Sequence, residues 1–151
     1  ALNAADNTLM ISPAMIASLV FGACGLLAAA GVEILLRNFA DQAGVNRWIF
    51  VAVPGLFAML YALMLYQDAR RKIKRLGESV SRGILIALLT WFSFSLLATM
   101  VWCPPKQFGQ CFGHTLLAAG IVGGGPMLAA ALVGGILTGV IIIRPPRKGA
   151  D

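Results

Sequence analysis

Few side chains in this sequence can do chemistry, and two of them are paired by position. Cys103 and Cys111 bracket the segment Cys-Pro-Pro-Lys-Gln-Phe-Gly-Gln-Cys, with seven residues between them. Two thiols at this spacing can close a small ring, with Gly109 easing the turn, and in an oxidising compartment they pair. The other chemistry open to them is thiol exchange with a quinone. That chemistry needs a reactive pair such as Cys-x-x-Cys and normally a second pair to relay electrons. Neither occurs here, and the third cysteine, Cys24, sits in an apolar run as a small hydrophobe. His114 lies close enough in sequence to join the two cysteines in a zinc or copper site, but the spacing fits no familiar metal motif. A disulfide is the expected role, with no metal and no cofactor.

Glu33 is the next candidate, because it is the one acidic residue inside a long apolar stretch. A carboxylate in a membrane span is a functional-site hypothesis by default, as a cation ligand or proton relay. Arg37 follows at i+4 in the favourable acid-then-base order, so an ion pair near the end of a helix accounts for both residues. No Ser/His/Asp constellation, phosphate-binding loop or pair of intramembrane carboxylates is present, and the chain reads as non-enzymatic.

The elements that must position these residues are four apolar runs: about 13–36, 48–66, 83–102 and 115–143. Each is near the roughly 20 residues needed to cross a ~30 Å hydrocarbon core. Charged residues make up 12% of the chain, about half of the usual share in soluble domains. The connections are short, so consecutive helices are expected to be antiparallel neighbours. The expected fold is therefore all-α: a single polytopic membrane domain of four transmembrane helices in an antiparallel bundle. Ser12 before Pro13 supplies a helix start, as cap and first-turn residue. Trp48, Tyr66 and Trp102 fall at span ends, as interfacial aromatic residues do, whereas Trp91 falls mid-span. The first ten residues lack the basic stretch of a secretory signal, so the first run is read as a retained span.

Basic residues set the orientation. Arg70, Arg71, Lys72, Lys74, Arg75 and Arg82 in the middle connection, with Arg144, Arg147 and Lys148 near the end, place nine of the twelve Lys and Arg on one side. That bias puts both termini in the cytoplasm and the cysteine loop outside. The net charge of +6 is thus topological and does not indicate a nucleic-acid partner. The cluster Arg70, Arg71, Lys72, Lys74 and Arg75 is placed to touch anionic lipid headgroups.

The fourth run is the most distinctive. Ala119, Gly123, Ala131, Gly135 and Gly139 recur at four-residue spacings, with a second row through Gly120 and Gly124. Such rows let two helix backbones approach closely. Pro126, after three glycines, is expected to kink or open the helix. The first run carries a weaker row, Ala14, Ser18 and Gly22, which makes the first and fourth helices candidates for a close pair. The second and third runs are bulkier and read as facing lipid or a partner.

Sparse polar content and small-residue faces together point to a non-catalytic accessory or structural subunit of a larger complex in a bacterial inner membrane. Its expected partners are lipids and other integral subunits, and a homo-oligomer is open. The alternative is a small homo-oligomeric transporter or channel using Glu33 and a helix break at Pro126. A thiol-disulfide/quinone redox protein is the third reading.

Overall fold

The computed structural model describes residues 12–39, 48–67 and 75–143, with side chains described for 12–34, 51–67 and 75–143. Arg70, Arg71, Lys72, Lys74 and the side chain of Arg37 lie outside that set. Among the described residues there are four α-helices and no strand: α1 (Pro13–Phe39), α2 (Trp48–Leu65), α3 (Leu76–Trp102) and α4 (Phe108–Ile143), with a 3₁₀ turn at Pro105–Gln107 leading into α4. Three of these helical stretches, Pro13–Ile34, Leu76–Trp102 and Pro105–Ile143, are long and apolar enough to cross a membrane, and Val51–Leu65 is a shorter apolar segment.

The helix starts follow local chemistry. Ser12 Oγ accepts the Met15 N–H at 3.2 Å, with Pro13 as the first helical residue. α3 begins seven residues before the apolar run that sequence alone assigned to it. Leu76–Arg82 is polar enough to lie outside the hydrocarbon and still be helical, and Glu78 in the first turn suits the positive end of the helix dipole. α4 likewise starts at Phe108, before the expected Thr115. At 36 residues it is roughly 54 Å long at 1.5 Å per residue, well beyond a bilayer core.

The expected opening at Pro126 is absent, because α4 runs through it as one continuous helix, as α2 does through Pro54. A proline inside a helix removes one backbone N–H, and neighbouring helices and local adjustments can absorb that loss.

Packing is between chain neighbours first: α1 against α2 and α3 against α4. The ring closes through α1 against α4 and a thinner contact of α2 with α3. The small residues of α1 are spent on α2 as well as on α4. Ser18 Oγ donates to the Met59 carbonyl at 3.1 Å, and Gly22 lies against the Met59 side chain. A Cβ on Gly25 would meet Ala58 Cβ at 3.3 Å and Gly55 Cα at 3.4 Å. α2 therefore turns a small-residue face inward, Gly55, Ala58 and Ala62, that its bulky composition concealed.

α4 uses its small residues chiefly on α3. A Cβ on Gly135 would stand 2.9 Å from Val80 Cα, one on Gly139 3.1 Å from Ser79 Cβ, and one on Gly83 2.5 Å from the Ala131 carbonyl oxygen. The α1–α4 contact runs through the ring of Phe21, seated against Gly134.

Hydroxyls tie the bundle at its Tyr66 end. Tyr66, expected at an interface with lipid, is fully buried. Its hydroxyl shares a 2.8 Å hydrogen bond with Ser79 Oγ, and Ser79 Oγ in turn reaches the Gly135 carbonyl at 2.8 Å. One chain of contacts thus joins the end of α2, the start of α3 and the C-terminal part of α4. Arg82 Nη1 donates to the Leu65 carbonyl at 2.7 Å and its guanidinium lies 5.6 Å from the Tyr66 ring centre, satisfying a carbonyl that the end of α2 leaves open.

Candidate functional site

Where the helices do not close on one another they leave a cavity of about 540 Å³, within the usual range of small-molecule sites. All four helices contribute. Phe21, Gly83 and Ala131 bound one end, in the same tight junction that holds α3 to α4. Glu33, Trp102 and Thr115 line it at the opposite end. Between these ends the wall is mostly alanine and glycine: Ala28 and Ala29 from α1, Ala118, Ala119 and Gly123 from α4. Small side chains permit close approach only when the partner backbone arrives; here it does not, and their shortness leaves space.

Two polar groups in this wall have no hydrogen-bond partner among the described residues. Thr90 is 3% exposed and its Oγ1 is unpartnered. The neighbouring Trp91 has a buried Nε1 in the same condition. The indole fits because α4 carries Gly120 opposite it: a Cβ there would lie 3.2 Å from Trp91 Cζ2. Most other interior hydroxyls are engaged: Ser18 on Met59, Tyr61 with Ser93, Tyr66 with Ser79, Thr99 on the Ser95 carbonyl. Ser95 Oγ and Thr138 Oγ1 are also buried without a partner, but neither residue lines the cavity.

The residues singled out from sequence are dispersed. Cys103 and Cys111 stand at disulfide distance, their Cα atoms 6.2 Å apart, joining the end of α3 to the first turns of α4. Phe108 and Phe112 stack in the first turns of α4, and Phe92 of α3 stands edge-on to Phe112 at 5.6 Å. His114 is exposed on the next turn, and no group of three His, Cys, Asp or Glu side chains among the described residues could hold a metal ion. Glu33 is half-buried in the cavity wall. Arg75 is exposed at the start of α3. Ala131, Gly135 and Gly139 lie in the α3–α4 contact. Gly123 lines the cavity, and a Cβ on Gly124 would have no neighbour within 4 Å. Sequence reasoning passed over Thr90. The signal was there in a polar side chain beside a tryptophan at the centre of an apolar helix, where each polar group needs a partner.

Compared with protein-family models, curated protein sequences and solved structures, the chain matches none.

Proposed function

We propose that this chain is a four-span integral protein of a bacterial inner membrane, with both termini cytoplasmic, and that it serves without catalysis as a packing subunit of a larger membrane assembly. The observation that carries this reading is the use made of its polar side chains. Ser18, Tyr61, Ser79 and Arg82 each hold one helix to another, and among the described residues no three His, Cys, Asp or Glu side chains come together as a metal site needs. The Lys and Arg bias supports the orientation. Gly124 and Gly125, open on α4 with no neighbour within 4 Å of a built Cβ, leave room for the backbone of a further helix to approach.

The test is mass analysis of the native assembly, extracted under mild conditions from its own membrane. A heteromeric complex of defined stoichiometry is expected. A chain recovered only with copies of itself would instead favour the transporter reading, which one observation supports: Glu33 borders the cavity. Glu33→Gln then separates the two, since loss of flux with intact assembly belongs to transport alone.

A further inference from the structure

Four interior polar groups have no partner among the described residues, and two of them belong to residues of the cavity wall. Thr90 Oγ1 and Trp91 Nε1 are buried, adjacent in sequence and unpartnered among the described residues, and both residues line one cavity. An unsatisfied polar group in a hydrocarbon surround is costly. Water is a poor remedy here. A buried water wants two to four polar partners and a polar site, whereas this wall is largely Ala, Gly, Phe, Ile and Met.

The chemistry of the two groups narrows the occupant. An indole N–H can only donate, and a threonine hydroxyl readily donates. Their common partner is an acceptor oxygen. Among the described residues no Lys or Arg lines the cavity, so the described wall offers no cation to a phosphate or free carboxylate. The acceptor is therefore neutral, and the body attached to it is apolar, to fill a space bounded by Phe21, Ile86 and Met127.

We propose that the four-helix cavity binds a neutral, carbonyl-bearing apolar molecule of the bilayer, its carbonyl oxygen accepting hydrogen bonds from Thr90 and Trp91 once a small rotation of these side chains turns their donors to the cavity. Two bilayer components share that chemistry, the quinone ring and the fatty-acyl ester. Binding does not depend on whether the chain has partner subunits.

The full chain is reconstituted in nanodiscs of ether-linked phosphatidylcholine, so that the bilayer supplies no ester carbonyl. It is titrated with a decyl-benzoquinone and with monooleoylglycerol. Each is matched by a carbonyl-free counterpart, decylbenzene and the oleyl glycerol ether. Binding is read as the saturable rise in thermal stability. At least one carbonyl probe is expected to bind about fivefold or more tightly than its counterpart, the worth of one hydrogen bond; which probe does so names the source. Thr90→Val, close in shape, and Trp91→Phe should each cut that advantage several-fold. Gly123→Leu, whose Cβ would meet only Met127 Sδ at 4.0 Å and whose side chain would fill the cavity, should abolish saturable binding while helicity by circular dichroism is kept. Equal binding of a probe and its counterpart, absence of saturable binding for both carbonyl probes, or an advantage that survives both Thr90→Val and Trp91→Phe would overturn the proposal.

Discussion

The ring of Phe21 on α1 rests on the bare backbone of Gly134 on α4, where a Cβ would come within 2.9 Å of Phe21 Cε1. The same ring reaches Gly83 on α3, 3.2 Å from a built Cβ, and lies 5.9 Å from the Tyr66 ring centre. One side chain thus crosses the middle of the bundle and bounds the cavity. Glycine at 134 is what admits it, since a methyl group there cannot coexist with the ring in its present place.

This relationship makes a paired prediction. Gly134→Ala should destabilise the chain by about 1–3 kcal/mol, the usual cost of overpacking. Gly124→Ala, ten residues earlier on the same helix, meets nothing within 4 Å and should be neutral or stabilising by about 0.5–1 kcal/mol, because alanine orders a helix at lower entropic cost than glycine. Unfolding of both variants in the same mixed micelle, followed by circular dichroism, checks the contrast. Equal effects would mean that Phe21 does not sit where the geometry puts it.

The Tyr66–Ser79 contact gives a second prediction. Both residues are fully buried and share a 2.8 Å hydrogen bond. Hydrogen bonds between membrane helices average about 0.6 kcal/mol in double-mutant cycles. Tyr66→Phe, Ser79→Ala and the double variant should therefore give a coupling near that value, with each single change costing more than the coupling, because Ser79→Ala also ends the bond to the Gly135 carbonyl and Tyr66→Phe the bond to the Ser79 carbonyl. A coupling of zero would remove this contact as a tie between α2 and α3.

How much of this was legible in sequence depended on which physical signal each residue carries. Helices were legible as apolar runs, but their ends were not. Leu76–Arg82 and Phe108–His114 are helical beyond the apolar stretch, and hydropathy reports solvent, not backbone hydrogen bonding. The small-residue rows marked faces that would pack, but not their partners. Ala14, Ser18 and Gly22 matched the rows of α4 on paper, yet Ser18 bonds to Met59 on α2. Tyr66 at a span end resembled an interfacial aromatic residue, and only the fold shows that Ser79 and Arg82 cover it. Thr90 was passed over because a single hydroxyl leaves no periodic trace. Its significance comes from what it lacks in three dimensions.

The cysteine pair predicts a redox-dependent stability. With Cys103 and Cys111 at disulfide distance, alkylation of the unfolded, non-reduced chain should label Cys24 alone, and reduction should expose all three thiols of the sequence. Closing so short a loop is worth about 2–3 kcal/mol on the chain-entropy account, so Cys111→Ser should lower the melting temperature and make it insensitive to reductant. Label on all three cysteines without reduction would show the pair unlinked.

The last prediction concerns Trp91 and the glycine that admits it. A Cβ on Gly120 would stand 3.2 Å from Trp91 Cζ2 and 3.9 Å from Nε1. Alanine at 120 asks the indole to give by only a few tenths of an ångström, whereas leucine needs the volume the ring now fills. With Trp48→Phe and Trp102→Phe as background, Trp91 is the one remaining tryptophan of the three in the chain, and its emission reports this wall. Gly120→Ala should leave the emission maximum almost unmoved. Gly120→Leu should drive the indole from its place, shift the emission and lower stability by about 1–3 kcal/mol through overpacking. Identical emission from both variants would mean that the indole and Gly120 are not in contact, and that the cavity wall is built differently on the α3 side.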